Sequence, residues 1–461
     1  MTLIVTSEFE LNRVTAPRLP TAPQQYEPRF HDQYSDVLRL YFNRLDNILG
    51  QLMATDGSIP ISFPPTALDA FGRQRVSQPY TLFDSQQRYA ADNQFDTSTA
   101  SGGTTTFLSN ESSVQMSVTS TVGSEVVRQS FRSMSYQPGK GLLVLATFCF
   151  NALTVGIRQR VGYFNTQNGV FFQADGPTVS MVLRSNSLPT PGTPSDARSI
   201  PQSAWNGDKL DGTGPSGLTL DPTKTQIFWC DFEWLGVGSV RTGFVINGQY
   251  IVCHTYENAN NLASVYMTTA ILPIRYEIRN TAAAVSASMK QICSNVVSEG
   301  GYEQYSPSHL ARRTTKLTNI QTTFKPIVSI RLDPAALGAV VIPGRMQVVP
   351  IASQTYEVGL FFNATLTGAS WSSVPTDANA QMDTSATAMT GGTLVQTDYM
   401  DASGSGGKQP LVDPAGYNWA LQLGVSLAGV SDVLTLAIRT LDSATPQGEC
   451  YGTIAFWDLT Q

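Results

Sequence analysis

Histidine and cysteine are scarce in this sequence of 461 residues, which limits the chemistry that it can carry. The three histidines have no partner at the spacing of a zinc site, and neither a nucleophile-elbow motif nor a phosphate-binding loop occurs. The five cysteines are odd in number and widely spaced, a pattern typical of buried free thiols rather than of a disulfide framework. We therefore predict no nucleophilic catalytic site, no metal site and no cofactor, and folding in a reducing cytoplasm.

Charged side chains are also scarce, at 14% of the residues against about 25% in ordinary soluble domains. The formal charge is −6 and no basic stripe is present, which argues against a nucleic-acid partner. The longest apolar run, residues 142–155, is interrupted by Asn151 and is too short to cross a bilayer. Residues 1–13 lack the basic region and cleavage site of a secretion signal. The sequence thus predicts neither nucleic-acid binding nor membrane insertion.

What the sequence does contain is a long succession of short segments in which apolar and polar residues alternate. Within residues 225–280, Phe228, Cys230 and Phe232 fall on one face of a predicted strand, and the Asn247-Gly248 pair predicts a tight hairpin between two further strands. This stretch alone predicts four strands, and similar segments recur to the C-terminus. The pattern predicts a mainly β fold with two β-sandwich or jelly-roll domains.

Composition divides the chain into candidate domains. Residues 1–58 predict an extended, proline-rich arm followed by one long helix, and residues 59–305 predict a lectin-like jelly roll. Residues 306–322 are polar and charged and predict a linker, and residues 323–461 predict a second β-sandwich. Residues 188–217, rich in Pro, Gly, Ser and Asp, predict a long surface loop of the kind that carries binding contacts.

The predicted helix has a seam of apolar residues at alternating spacings of four and three. This heptad pattern favours a self-associating helix, which we predict to form a three-helix bundle; the alternative is a single amphipathic helix packed on its own β domain. About three heptads are marginal alone, so the β domains would have to contribute to any oligomer. The predicted oligomerisation and anchoring residues are Tyr34, Leu38, Tyr41, Leu45, Ile48 and Leu52.

Two features leave an enzymatic or sugar-binding alternative open. Asp231 and Glu233 fall on one strand face, at a distance compatible with the paired carboxylates of a jelly-roll glycosidase. They can equally face solvent, or pair with Arg241 or Arg275 across neighbouring strands. The aromatic clusters of the first β domain can stack on sugars or fill a sandwich core. We favour the structural interpretation of both and predict that the chain is not an enzyme. Most of the arginines of the same domain are predicted to be cross-strand or inter-subunit hydrogen-bonding groups; they are Arg73, Arg75, Arg128, Arg132, Arg158 and Arg160.

Several segments form a recognisable set. They are Tyr80-Thr81-Leu82-Phe83-Asp84, Tyr136-Gln137-Pro138-Gly139-Lys140, Arg160-Val161-Gly162-Tyr163-Phe164 with Asn168-Gly169-Val170-Phe171-Phe172, residues 205–212, and Trp234-Leu235-Gly236-Val237-Gly238. With residues 39–47 near the start and 366–371 in the C-terminal part, this set resembles a group of tailed-bacteriophage virion structural proteins. The resemblance extends over most of the chain.

The resemblance implies a non-enzymatic structural component of a bacteriophage virion, assembled in the host cytoplasm. It implies a homotrimeric tail- or neck-associated fibre or appendage protein that contacts other virion proteins through its N-terminal arm and helix. A capsid-surface decoration protein is an alternative with the same layout. An alternative from a different class is a glycan-binding or glycan-cleaving host-recognition module, whose partner would be a host surface glycan.

Overall fold

The computed structural model describes one α-helix, one short 3-10 helix (Gln202–Ala204) and many strands. Strand accounts for 51% of the chain and helix for 5%, which confirms the predicted mainly β fold. The described residues are 28–52, 79–151, 153–282, 285–303, 306–352, 354–375, 377–401, 421–442 and 447–460, with helix side chains described at 29–43 and 45. The proline-rich part of the predicted arm lies outside them.

Helix α1 runs from Pro28 to Leu52. Proline suits the first helical position, because its missing N–H would have no partner inside the helix. The helix belongs to a compact unit, Met1–Pro64, and all strands belong to a second unit, Pro65–Gln461.

Two antiparallel sheets form the first sandwich of the strand unit. Sheet 1 consists, in spatial order, of β13 (Gln249–Tyr256), β12 (Val240–Ile246), β11 (Gln226–Phe232), β6 (Leu142–Phe150), β15 (Ala287–Ser298), β4 (Ser113–Val118) and β3 (Thr104–Leu108), with β1 (Tyr80–Ser85) also paired to β15. Sheet 2 consists, in spatial order, of β10 (Ser195–Pro201), β9 (Thr178–Ser185), β8 (Gly169–Asp175), β7 (Ile157–Phe164), β14 (Ile274–Asn280), β5 (Glu125–Ser130) and β2 (Phe95–Ala100).

The inner faces of sheets 1 and 2 pack through an aromatic core. Phe148 and Phe150 of β6 lie 5.8 and 5.7 Å from Phe172 of β8, and Phe244 of β12 lies 5.1 Å from the same ring. Phe228, on the predicted inner face of β11, joins this core, and all five rings are fully buried. Burying each such side chain contributes roughly 1.5–3 kcal/mol.

Three further sheets form the C-terminal half of the strand unit. Sheet 3 contains β16 (Ser308–Arg312), β27 (Gly448–Asp458) and β17 (Leu317–Ile320), with β19 (Val341–Pro350) also paired to β27. Sheet 4 contains β22 (Ser372–Ser373), β23 (Ala380–Asp383), β18 (Lys325–Leu332), β26 (Val433–Thr440), β20 (Thr355–Phe362) and β25 (Thr393–Asp401). A small ribbon pairs β21 (Thr365–Thr367) with β24 (Ala388–Thr390). Sheets 3 and 4 enclose a second core that includes Ile330, Tyr356, Leu436, Ile454 and Phe456.

The structure places strands in two segments that the sequence predicts as irregular. Residues 306–322, predicted as a linker, contain β16 and β17, both paired with β27. In β16 the buried positions are His309 and Ala311, so the strand lacks the apolar alternation that would have marked it. Residues 188–217, predicted as a surface loop, contain β10 and bury Trp205 and Leu210.

The Asn-Gly hairpin predicted from the sequence is confirmed. Strand β12 ends at Ile246 and β13 begins at Gln249, and the two loop residues between them have positive φ, 53° at Asn247 and 76° at Gly248. This is the left-handed backbone that a two-residue hairpin requires.

The five cysteines are free, as the sequence predicts. Cys230, Cys253 and Cys450 are buried in the cores and Cys149 is half-buried. Cys293 departs from the prediction and is exposed, because it lies at the register shift of β15 between Gln291 and Ser294.

Candidate functional site

The outer face of sheet 2 gathers five arginines around an open basin of about 380 Å³. Side chains alternate along a strand, so that the core residue Tyr276 of β14 is flanked by outward-facing Arg275 and Glu277. The arginines of this site, which we call the arginine basin, are Arg158, Arg160, Arg184, Arg275 and Arg279. Its carboxylates are Glu125, Asp196 and Glu277.

Glu277 is held by three arginines of the basin. Its Oε1 accepts hydrogen bonds from Arg158 at 3.2 Å and Arg160 at 3.4 Å, and its Oε2 accepts two from Arg275, at 3.0 and 3.3 Å. Burial would raise the pKa of Glu277, but the charges of Arg275, Arg160 and Arg158 outweigh it and lower that pKa to about 2. Burial also lowers the pKa of Arg160, to about 10, which leaves its guanidinium charged at neutral pH.

Asp196 closes the basin from the edge strand β10. Arg184 binds it with two hydrogen bonds, of 2.7 Å to Oδ1 and 2.9 Å to Oδ2, and Arg160 donates a third, of 3.0 Å, to Oδ2. Burial raises the pKa of Asp196, but the hydrogen bonds and charge of Arg184 lower it by more. The edge strand is therefore joined to the centre of the sheet through charged side chains.

Two phenylalanine rings lie beneath the guanidinium groups. Phe164 and Phe171 are fully buried and their centroids are 4.4 Å apart. The guanidinium carbons of Arg160 and Arg184 each lie 5.2 Å from the Phe171 centroid, and that of Arg275 lies 5.6 Å from the Phe164 centroid. This stacking orients the arginines. Because arginines cover both rings, neither ring offers an open face on which a sugar could stack.

The rim of the basin places two like charges side by side. Arg158 of β7 and Arg279 of β14 are directly opposite in the strand register. The Nε of Arg158 is buried and has no hydrogen-bond partner among the described residues. Arg279 approaches Glu125 to 3.6 Å, which is longer than a hydrogen bond. Positive charge is therefore less completely neutralised at the rim than at Glu277.

Sequence reasoning identifies part of this site. Arg158 and Arg160 are predicted to bond across strands, and both bond to Glu277. Arg275 is one of the two arginines suggested as partners of Asp231 and Glu233, but it lies in the other sheet. The sequence signal for Glu277 and Arg279 is their spacing at two-residue intervals from Arg275 along β14, which places all three on one strand face.

Asp231 and Glu233, the candidate catalytic carboxylates, have negligible exposure. Asp231 pairs with Arg241, directly opposite on β12, and Arg241 Nε donates a hydrogen bond of 2.9 Å to Asp231 Oδ1. Arg241 Nη2 also contacts Asp231 Oδ2. Of the arrangements considered from the sequence, the structure shows the cross-strand pair with Arg241.

Helix α1 carries the predicted seam on its surface. Tyr34, Leu38, Tyr41 and Leu45 are all half-buried, whereas Leu40 is 60% exposed. The side chains of the two remaining seam residues, Ile48 and Leu52, lie outside the described part. Phe42, which the sequence predicts to widen the seam together with Val37 and Leu49, is 56% exposed.

The described part of the chain has neither a cluster of metal-ligating side chains nor a membrane-spanning helix. No group of three His, Cys, Asp or Glu side chains there is placed to hold a metal ion. None of its helices combines the length and the apolar character needed to cross a membrane.

The chain is only distantly similar to known proteins. No protein-family model and no curated protein sequence matches the chain. The Emp47p carbohydrate recognition domain is 13% identical, covering 48% of this chain and 95% of its own, with a TM-score of 0.30. A Bacillus licheniformis beta-glucanase is 12% identical, covering 46% and 96%, with a TM-score of 0.31. A glycosyl hydrolase family 16 protein from Mycobacterium smegmatis is 10% identical, covering 47% and 100%, with a TM-score of 0.32. Similarity at this level assigns no function.

Proposed function

We propose that this protein is a non-enzymatic structural component of a bacteriophage virion. In this proposal it is a homotrimeric tail- or neck-associated appendage protein, anchored through its N-terminal arm and α1 to other virion proteins. The observation that carries the proposal is α1 itself: a helix of 25 residues with a half-buried apolar seam, which belongs to a different compact unit from the strands. A helix of this length gains most of its stability from packing an apolar face, which favours association.

Two further observations support the non-enzymatic role. Asp231, one of the two candidate catalytic carboxylates, is engaged by Arg241 and has no solvent exposure. Most of the segments that resemble phage virion proteins are strands and turns of the first sandwich, which suits a rigid projecting body.

Particle incorporation tests the proposal. Removing residues 1–54 should leave folded β-sandwiches that no longer enter particles, because the anchor is lost. A matched chain with Leu40→Gln, which changes an exposed helix position, should be incorporated normally. Full incorporation of the truncated chain would overturn the anchoring role. Density of the intact particle then separates the alternatives, since a capsid decoration protein would lie on the shell and not on the tail or neck.

A second candidate function, recognition of a host surface glycan, is favoured by the arginine basin. The basin is open, polar and built on strands, which hold their side chains more precisely than loops do. Binding of the full chain to immobilised bacterial surface polysaccharides tests it. Asp196→Asn should weaken binding, because Arg184 and Arg160 lose the carboxylate that orients them. Equal binding by this variant would place any glycan contact elsewhere.

A further inference from the structure

We infer that the arginine basin binds an oxyanion, with Arg158 and Arg279 as its principal ligands. The inference rests on the second candidate function for the place of binding and adds the chemical class of the ligand: a carboxylate, sulfate or phosphate group. It predicts that an acidic sugar is bound in preference to a neutral one.

The charge balance of the basin favours an anion. Five arginines face three carboxylates, which leaves two positive charges in a chain whose formal charge is −6. Positive charge concentrated in a recess attracts anions more strongly than the same charge spread over a surface. The net charge of the basin is therefore positive, whereas that of the whole protein is negative.

Two of the three acidic groups of the basin already accept hydrogen bonds from arginines, and the third, Glu125, is paired with Arg279 at 3.6 Å, which argues against a cation. Glu277 accepts hydrogen bonds from three arginines, and Asp196 accepts three hydrogen bonds from Arg184 and Arg160. A cation would have to displace guanidinium groups from both carboxylates. An anion needs no such displacement.

The rim arginines have donor capacity to spare. Each guanidinium carries five N–H donors, and Arg158 uses one nitrogen, Nη2, on Glu277. Arg279 makes no hydrogen bond to a described residue; its ion pair with Glu125 is 3.6 Å long, and its side chain is 45% exposed. Asp175, opposite Arg158 on β8, forms no ion pair with it among the described residues. An oxyanion seated at the rim would meet donors that the protein itself leaves unused.

The strand register adds a reason for an anion at this point. Like charges directly opposite each other on neighbouring strands repel, and Arg158 and Arg279 are such a pair. An oxyanion bridging the two guanidinium groups would turn this repulsion into two charge-assisted interactions. The stacked arginines below hold the floor of the basin in place, so little reorganisation accompanies binding.

Calorimetric titration of the full chain at low ionic strength tests the inference with three probes: glucuronate, glucose and inorganic phosphate. Glucuronate should bind and glucose should not, and added salt should weaken binding because the interaction is electrostatic. The variant R158Q/R279Q should lose about tenfold or more in affinity, the effect of losing one or more charged hydrogen bonds. The matched control R312Q/R345Q removes the same charge from exposed positions of β16 and β19 and should bind the probes as the parent does.

Each outcome decides the inference. Tighter binding of glucuronate than of phosphate supports both the oxyanion site and the glycan function. Equal binding of glucuronate and phosphate supports the oxyanion site and removes the support that the basin gives to glycan recognition. Equal binding of glucose and glucuronate overturns the oxyanion inference and leaves the glycan function standing. No binding of any probe, or equal losses in R158Q/R279Q and R312Q/R345Q, overturns the inference.

Discussion

Asp231 and Arg241 form a buried ion pair, and the contribution of this pair to the stability of the fold can be measured. The carboxylate side chain has no exposure and the guanidinium side chain is 11% exposed. Removing one partner leaves the other buried charge without its cross-strand ion pair. We expect Arg241→Met to lower the free energy of unfolding by about 3–5 kcal/mol, and the double change Asp231→Leu with Arg241→Met to restore much of it. Denaturant unfolding at neutral pH measures both.

A surface pair supplies the comparison for this prediction. Lys316 and Glu449 lie 2.8 Å apart, with side chains 41% and 30% exposed. Because water screens such a pair, Lys316→Met should cost less than about 1 kcal/mol. If Arg241→Met cost no more than that, the pair would not be structural, and the carboxylate of Asp231 would again be a candidate for catalysis.

Glu277 makes the protein sensitive to acid. Its folded-state pKa of about 2 lies below its usual value of 4.5. Its contribution to stability is therefore present above about pH 4.5 and is lost as the pH falls towards 2, and at neutral pH it amounts to about 3 kcal/mol. Glu277→Gln should flatten the decline of unfolding free energy between these pH values, as measured by denaturant unfolding. Glu303→Gln, at a side chain 56% exposed, should leave the decline unchanged; equal slopes in all three proteins would contradict the prediction.

At the scale of elements, substitutions of two glycines in the β12–β13 hairpin test two different costs: backbone strain at Gly248 and steric clash at Gly243. Gly248 has φ of 76° and open space where a Cβ would lie, so Gly248→Ala should cost about 1 kcal/mol through strain alone. A Cβ at Gly243 would collide with the carbonyl oxygen of Ile251 on β13, so Gly243→Ala should cost about 3 kcal/mol or more. Thermal unfolding of the two variants compares these costs. Similar losses would mean that the hairpin adapts to the clash.

Strands were predictable from sequence where one face is apolar and the other is not. The stretch 225–280 satisfies this condition and contains the predicted strands β11, β12, β13 and β14. Strand β10, Ser195–Pro201, lies at the edge of sheet 2 and has no fully buried residue, so it has no apolar face to detect. The tract 370–408, which contains few charged residues, includes β22–β25. Their residues are mostly exposed or half-buried, so these strands too have no apolar face to detect.

The arginine basin shows why the site was harder to predict than the fold. Alternation indicates that Arg158 and Arg160 share a face, and that Arg275, Glu277 and Arg279 share one. It does not indicate that β7 and β14, separated by more than a hundred residues, are neighbours. That neighbourhood depends on strand order, which turns and local periodicity leave undetermined.

At the scale of the whole molecule, the two sandwiches of the strand unit are joined by direct contacts. The backbone N–H of Leu427 donates to Asp96 Oδ2 at 2.6 Å, and the side-chain amide of Gln422 donates to the carbonyl of Ser133 at 2.7 Å. A small apolar cluster of Val340, Ile342 and Leu459 also packs against residues of the first sandwich. Hydrogen bonds and apolar contacts together favour a single rigid body over two tethered domains.

Helix α1 is where assembly of several copies can be tested. Leu38 and Leu45 lie on the half-buried seam, so Leu38→Gln with Leu45→Gln should shift the mass measured by light scattering from trimer towards monomer. Leu40 is exposed and stands two positions from Leu38, on the opposite side of the helix, so Leu40→Gln removes apolar surface from the same helix away from the seam. The second variant should remain trimeric. An unchanged trimer in the seam variant would mean that the sandwiches alone hold the copies together. Dissociation in the Leu40→Gln control instead would mean that the opposite side of α1 forms the contact.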